Sequence, residues 1–211
     1  MKKCYFIILL VSCSSKFELK EGDLLFQDLD TSPLCDAIEL VTPGYNEADF
    51  SHIGLVVSIN DTIRVLEAIP PKVMLTNLEN FLNRSFDKDG NPKVIVGRLK
   101  EKNLHSVKEA VSYSKSKLNI KYDDFFLMNN NSYYCSELIY EAFLNDSIFE
   151  LQPMTFLHPI SNDTLQTWKD YYKEIGVEIP QNKMGINPGI MSLSNKIEMV
   201  HFYGIPDGLN N

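Results

Sequence analysis

The sequence has few cysteines, no long hydrophobic run and no excess of basic residues. Four cysteines in 211 residues, without metal-ligand spacing, exclude a disulfide scaffold and a cysteine zinc site. The apolar run at residues 5–11 is far shorter than the ~20 residues that a membrane-spanning helix needs. A formal net charge of −8 without a basic patch argues against nucleic acid as a partner. No internal repeat and no biased tract is visible, which excludes repeat architectures and long disorder.

What is present is typical of one globular domain, with 44% hydrophobic and 23% charged residues. The apolar patterns predict a strand after Gly22, a helix from Ser32, and a β-hairpin over residues 53–69. A strand at residues 93–99, a helix at residues 104–118 and a helix from Cys135 follow. Residues 164–175 and 196–202 predict a late helix and an edge strand. This order predicts an α+β fold in which helices pack on a small, mostly antiparallel sheet.

The first residues have the features of a secretion signal followed by a lipid anchor. Lys2 and Lys3 precede the apolar run, and small residues follow it. The motif Leu10-Val11-Ser12-Cys13 resembles the bacterial lipobox, which implies cleavage before Cys13 and lipidation of its thiol. The alternatives are a plain signal peptide and a buried first strand. On the lipoprotein interpretation, residues 1–12 are a signal peptide and residues 13–21 are a lipidated N-terminus and tether. The protein would then lie in the cell envelope, as a periplasmic or outer membrane lipoprotein attached to the membrane through its N-terminal lipid.

One stretch, residues 133–143, carries the strongest indication of chemistry. Apolar side chains at positions 138, 139, 142 and 143 have helical spacing and predict a helix with one apolar face. Cys135 falls at the predicted start of this helix. There the positive end of the backbone dipole favours the thiolate, which is the nucleophilic form of cysteine. The alternative is that Cys135 is a small buried hydrophobic residue.

Cys35 is the other cysteine that would remain after processing at Cys13. It follows Ser32 and Pro33, which are a typical N-cap residue and a typical first helical residue. We therefore interpret Cys35 as a packing residue of this helix rather than as a disulfide partner of Cys135.

The predicted hairpin places a histidine and a carboxylate on one face of a sheet. If Asn60-Asp61 forms a two-residue turn, Ile59 faces Thr62, and the same register brings His52 opposite Ile69. Because side chains alternate along a strand, Glu67 then lies on the face of His52, one diagonal step away. The alternative is a solvent-facing Glu67 and a strand-end His52 without a catalytic role. The other histidines have no acid on a predictable common face.

Five short segments follow one another in a characteristic order. They are Gly22-Asp23-Leu24-Leu25-Phe26, Ser51-His52-Ile53-Gly54, Val65-Leu66-Glu67-Ala68, Tyr122-Asp123 and Tyr134-Cys135-Ser136-Glu137-Leu138. Together they resemble the NlpC/P60 superfamily in its circularly permuted branch, the YiiX-like cysteine hydrolases. In unpermuted members the cysteine comes first, whereas here the histidine and the acid precede it.

The resemblance implies a papain-like fold, with a nucleophile helix packed on a small barrel-like sheet. It implies that Cys135, His52 and Glu67 are a catalytic triad. It also makes Tyr122 an active-site residue that contacts substrate or oxyanion, the alternative being an ordinary core aromatic. Residues 22–149 would form the catalytic core and residues 150–211 an extension of the same domain. The aromatic residues of that extension, such as Trp168, would cover the core or line the substrate cleft.

The function that follows is a cell-envelope cysteine hydrolase that cleaves an amide or an ester. The substrate would be a peptidoglycan peptide or a lipid-linked acyl group. His52 would accept the thiol proton and Glu67 would orient the imidazole, so that no metal or other cofactor is required. Two alternatives remain open at this point. One is a non-catalytic lipoprotein that binds a wall or lipid fragment, and the other is an acyltransferase with the same triad.

Overall fold

A computed structural model describes residues 17–210, so the predicted signal peptide and Cys13 lie outside the described residues. The strands are β1 (Leu24–Gln27), β2 (His52–Ile59), β3 (Thr62–Ile69), β4 (Lys72–Asn77), β5 (Val94–Leu99), β6 (Gln152–Pro153), β7 (Met184–Gly185) and β8 (Ile197–Phe202). The helices are α1 (Pro33–Val41), α2 (Leu78–Leu82), α3 (Val107–Ser116), α4 (Cys135–Ala142), α5 (Gln166–Ile175) and α6 (Pro188–Ser192). Between residues 17 and 210, no helix combines the length and the apolar character needed to span a bilayer.

Six strands form one sheet in the order β4-β3-β2-β1-β5-β8, and each neighbouring pair is antiparallel. The short strands β6 and β7 form a separate antiparallel pair. The sheet confirms the predicted α+β class and the antiparallel pairing. It also confirms the predicted edge strand, because β8 pairs with β5 at one end of the sheet.

The hairpin between β2 and β3 has the predicted register. Ile59 pairs with Thr62, and the ladder continues to Leu55 opposite Leu66. Asn60 and Asp61 both have positive φ, 50° and 59°, as a two-residue type I′ turn requires. Asn and Asp tolerate this left-handed backbone better than other side-chain-bearing residues. The local sequence therefore specifies the register that aligns His52 with Glu67.

The two faces of the sheet are covered by different elements. Helices α3 and α4 pack on the face that includes Phe26, Leu55 and Leu66. The opposite face includes Leu25 and Val56 and is covered by α2 and by residues 17–19. Both faces are therefore buried, and β1 is buried along its whole length. This packing holds the strands that carry the candidate site between two apolar layers.

Two segments have features that the sequence did not predict. Residues 17–21, the described part of the predicted tether, pack on the domain, since Phe17 stacks on His201 with ring centroids 4.1 Å apart. The Glu18 carbonyl oxygen also accepts a hydrogen bond from Arg98 at 3.1 Å. The helix predicted over residues 104–118 is α3, which is shorter because a 3₁₀ turn at Glu101–Ser106 precedes it.

Residues 150–211 add to the sheet and build a small apolar cluster of their own. Trp168 and Tyr172 of α5 are buried with Phe156 and with Ala37 of α1. The Tyr172 hydroxyl donates to the Phe125 carbonyl oxygen at 3.2 Å. The extension therefore packs on α1 and on the loop that precedes Cys135, where it can shape the surroundings of the thiol.

Candidate active site

Helix α4 carries Cys135 as its first residue, as the sequence predicts. Tyr134 before it has an extended backbone, and the buried Leu138 and Ile139 anchor the helix in the core. Backbone N–H groups in the first turn of a helix have no intrahelical partner and point outward. The Cys135 sulfur lies 4.0 Å from the carbonyl oxygen of Ser51. Helix α4 thus brings the thiol to the start of β2.

Both cysteines that the structure describes are free and buried. The Cys35 sulfur lies 3.5 Å from the Ser32 hydroxyl and 3.6 Å from the Thr31 hydroxyl, inside the start of α1. The interpretation of Cys35 as a packing residue is confirmed. Cys135 forms no disulfide bond with Cys35, so its thiol is free to react.

His52 and Glu67 form a buried hydrogen-bonded pair. His52 Nε2 lies 2.6 Å from Glu67 Oε2, and the two residues are 5% and 0% exposed. They lie on the face of β2 and β3 that also carries Val56 and Val65. The alternative interpretation, in which Glu67 faces the solvent, is therefore wrong. Since Glu67 engages Nε2, the other ring nitrogen of His52, Nδ1, is left for the neighbouring thiol.

The Glu67 carboxylate also accepts three hydrogen bonds from residues that the sequence reasoning missed. Arg84 donates to both oxygens, at 2.8 and 2.6 Å, and the Thr76 hydroxyl donates to Oε1 at 2.5 Å. A bidentate arginine fixes the plane of a carboxylate as well as its charge. Thr76 is predictable in principle, because it pairs with Val65 in the next strand. Arg84 follows α2, and no local pattern connects it with Glu67.

Arg84 reaches the carboxylate because α2 packs tightly on the hairpin. Its guanidinium lies 5.0 Å from the ring centroid of Phe81, and this ring is 5.8 Å from the His52 ring. Gly54 makes room for the aromatic ring, since a Cβ at this position would lie 2.4 Å from a Val65 methyl and 3.0 Å from Phe81. The glycine in β2 thus permits the packing that supports the pair.

The surroundings hold both members of the pair in their charged forms. Burial alone would lower the pKa of His52, but interactions with Cys135 and Glu67 outweigh it and raise that pKa to about 9. Burial alone would raise the pKa of Glu67, but hydrogen bonds from Arg84 and His52 lower it to about 2. At neutral pH the arrangement favours an imidazolium next to the Cys135 sulfur and a carboxylate behind it.

The loop before α4 brings Tyr122 to the same place. Tyr122 bridges to Tyr133, and the Asp123 carboxylate orders the turn by accepting the Phe125 and Leu127 N–H groups at 2.9 and 2.8 Å. Burial, followed by the electrostatic effect of Cys135, raises the pKa of Tyr122 well above its ordinary value. Between residues 17 and 210, the Tyr122 hydroxyl has no hydrogen-bond partner, so its proton is free to meet a ligand.

Glu137 lies two residues after the cysteine and is 1% exposed. Burial raises the pKa of its carboxyl group to about 8, although the Asn129 N–H donates to it at 3.2 Å. Glu137 is therefore largely neutral at neutral pH, and it adds little negative charge to the start of α4. A thiolate at Cys135 meets correspondingly less repulsion.

An apolar cavity of about 80 Å³, partly open to solvent, lies against Cys135. Its walls include the end of α1, Ser51, Phe126 and residues 134–136, 152–156 and 185–190. Trp168 contributes to one wall while it packs in the apolar cluster of the extension. The alternatives of a core role and a cleft role therefore both apply to this side chain.

A buried histidine–carboxylate pair beside a cysteine at a helix N-terminus is the arrangement of papain-like cysteine hydrolases. Here the histidine and the acid come from an antiparallel hairpin that precedes the cysteine helix. The fold and the site therefore define a papain-like protein with permuted order.

The comparisons agree with this class. Residues 18–201 match the family described as permuted papain-like amidase enzyme, YaeF/YiiX, C92 family, and the chain belongs to it. It is therefore a cysteine hydrolase of the amidase or peptidase type. A similar solved structure is that of YiiX from Escherichia coli O157:H7, described as a metalloprotein. It is 24% identical, has a TM-score of 0.73 and covers 90% of this chain and 100% of its own. No match was found among the curated proteins.

One group of carboxylates in residues 17–210 has the spacing of metal ligands: Asp28, Asp30 and Asp207. The Lys93 ammonium lies 2.8 Å from Asp207, 2.9 Å from Asp30 and 3.3 Å from Asp28. This ammonium takes the place that a metal ion would need between the three side chains. The residues at this position therefore fit an internal ion-pair cluster and do not fit a metal site.

Proposed function

We propose that the chain hydrolyses an amide or ester by a Cys-His-Glu mechanism with Cys135 as nucleophile, His52 as base and acid, and Glu67 as the orienting carboxylate. The observation that carries the proposal is the buried 2.6 Å bond between His52 and Glu67, next to the free Cys135 thiol. The raised pKa of His52 and the lowered pKa of Glu67 support the charge states that the mechanism needs.

The chemical steps use groups that converge on the sulfur. His52 takes the Cys135 proton, and the thiolate attacks the carbonyl carbon to form a tetrahedral intermediate. The backbone N–H of Cys135, which has no partner within helix α4, and the Tyr122 hydroxyl are available to donate to its oxyanion. The imidazolium then protonates the departing amine or alcohol, and a thioester remains. Water, deprotonated by His52, attacks the thioester and releases the acid and the thiol.

The pH dependence of hydrolysis follows from the raised pKa of His52. Because that pKa is about 9, the imidazolium that protonates the leaving group persists above its ordinary range and is lost as pH rises through 9. We expect kcat/KM for an amide substrate to hold through neutral pH and to fall with a midpoint near 9. Stopped-time assays across this range measure the midpoint.

A matched control for the pH profile is His105→Gln, since His105 is exposed on the surface. In this variant, kcat/KM is expected to fall over the same alkaline pH range as in the parent protein. A parent profile that declines around pH 6.5, where an ordinary histidine titrates, would contradict the proposed charge state of His52.

We also propose that the enzyme acts in the cell envelope, anchored through a lipid on Cys13. The basic start, the short apolar run and the lipobox-like motif support this location. Its substrates there would be a peptidoglycan peptide or a lipid-linked acyl group.

The anchor is tested by expressing the full chain in bacteria supplied with a labelled fatty acid. Label is expected in the protein, together with loss of residues 1–12, and Cys13→Ser is expected to abolish both. Cys4→Ser is the control that should retain the label. A membrane-free parent protein without label would refute the anchor and leave the hydrolase proposal intact.

A further inference from the structure

Glu137, the third residue of α4, is a buried acid that the proposed mechanism does not use. The Asn129 N–H, in the loop before the helix, donates to its Oε1 at 3.2 Å. The backbone N–H of Tyr134, directly before Cys135, also interacts with this carboxyl group. A glutamate at the third helical position commonly reaches back to the N–H that precedes the helix. The Glu137 side chain therefore ties the loop to the start of the nucleophile helix.

The loop over residues 123–132 lies between two groups of the proposed mechanism, the Tyr122 hydroxyl and the Cys135 thiol. The Asp123 carboxylate orders its first turn. The second half of the loop is joined to α4 by the bond between Asn129 and Glu137. Three residues of the loop have positive φ, between 55° and 64°: Phe126, Asn129 and Asn131. Such conformations cost free energy for residues with side chains and persist where surrounding contacts fix them.

The loop contacts Tyr122 through an aromatic pair. The Phe126 ring meets the Tyr122 ring edge-to-face, with centroids 6.5 Å apart, and its centroid lies 5.7 Å from that of the Tyr134 ring. Edge-to-face pairs have a preferred geometry, so the position of one ring restricts that of the other. A displaced loop would therefore shift the Tyr122 hydroxyl relative to Cys135, with which Tyr122 interacts electrostatically.

The surroundings of Glu137 favour a neutral carboxyl group that acts as a hydrogen-bond acceptor. Its Oε2 is buried and has no hydrogen-bond partner among residues 17–210. A charge there would lose its hydration, and the nearby Asp123 carboxylate would repel it. A leucine would fill this buried position at a lower desolvation cost. The oxygen that accepts from Asn129 is therefore the property that distinguishes glutamate from an apolar residue at this position.

We infer that Glu137 is a positioning residue, which holds the loop 123–132 so that the Tyr122 hydroxyl meets the oxyanion formed at Cys135. The inference rests on the proposed function, and it adds a residue that acts through Tyr122 rather than on the reacting atoms. Because the oxyanion forms only during the reaction, loss of this positioning should lower kcat and leave KM nearly unchanged.

A double-mutant cycle with Tyr122 tests the inference on the purified protein, with p-nitrophenyl butanoate as the substrate. Glu137→Leu removes the acceptor, so kcat is expected to fall about tenfold or more, with KM within about threefold of the parent value. Tyr122→Phe is expected to lower kcat by about 10²-fold. In the Tyr122→Phe background, Glu137→Leu should lower kcat by no more than about twofold, because the hydroxyl that it positions is already absent.

Three further variants complete the experiment. Glu137→Gln keeps an oxygen that accepts from Asn129, so its kcat is expected to stay within about threefold of the parent value. Glu109→Leu is the surface control, because Glu109 is exposed on α3, and it should keep the parent kcat and KM. If Glu137→Leu does not fold, Glu137→Asp replaces it in the cycle, because its shorter side chain withdraws the acceptor from Asn129 and stays polar.

The outcomes separate the inference from the proposed function. A parent-like kcat in the Glu137 variant used for the cycle would overturn the inference, and so would a kcat in Glu137→Gln as low as in that variant. Equal losses of kcat in both backgrounds would also overturn it, because Glu137 would then act independently of Tyr122. An unchanged kcat in Tyr122→Phe would instead refute the proposed donor role of Tyr122, and the inference with it, whereas equal losses refute the inference alone.

Discussion

Replacing Cys135 with alanine is expected to abolish turnover while leaving the protein folded. Without the sulfur no thioester can form, and removal of a catalytic nucleophile lowers kcat by about 10⁴-fold or more. The free energy of unfolding should change by only about 1 kcal/mol, because the substitution removes one atom from a small buried side chain. Ester hydrolysis by the purified protein, with thermal unfolding followed by circular dichroism, measures both quantities.

The second described cysteine provides the matched control for this experiment. Cys35 is buried in α1 and contacts the hydroxyls of Thr31 and Ser32. Cys35→Ala is therefore expected to retain the parent activity and its labelling by iodoacetamide. Substantial turnover by Cys135→Ala would show that another group attacks the substrate.

Replacing Glu67 with glutamine is expected to lower kcat by roughly 10²–10⁴-fold. The carboxylate accepts hydrogen bonds from His52, Thr76 and both terminal nitrogens of Arg84. An amide offers one accepting oxygen, so at least one of these donors must face an NH₂ group. The imidazole would then lose its orientation, and the guanidinium would lose its charged partner.

The pH profile gives the Glu67 substitution a readout that a purely structural defect would not produce. Glu67 helps to raise the pKa of His52 to about 9, so its neutralisation should move the alkaline limb of kcat/KM to lower pH. Thr76→Val is the matched control, because it removes one donor and keeps the carboxylate. In Thr76→Val, kcat/KM should fall at nearly the same alkaline pH as in the parent protein. An unchanged rate and profile in Glu67→Gln would remove this residue from the mechanism.

The relation between His52 and Glu67 could be read from the sequence because it is local. A two-residue turn at Asn60-Asp61 sets the register, and alternation along the strands puts the two side chains on one face. The position of Cys135 at a helix start was likewise local, since it follows from the spacing of apolar residues.

The contact between Arg84 and Glu67 was not predictable from the sequence. The charge of Arg84 is directed at Glu67 by the packing of α2 and Phe81 against a strand glycine, none of which follows from periodicity. The packing of Phe17 on an apolar face of the sheet was likewise not predictable from local patterns. Such contacts depend on which surfaces the folded chain leaves uncovered.

Short-range patterns in the chain thus specified the hairpin, the cysteine helix, the α+β class and the triad candidates. Turn preferences, strand alternation and helical spacing depend only on residues that are close together in the sequence. The folded structure brings the sulfur to the imidazole, buries Glu67 between His52 and Arg84, and builds the apolar cavity from several distant stretches of the chain. These features arise from long-range packing, in which burial sets both the partners of each charge and the space left beside the thiol.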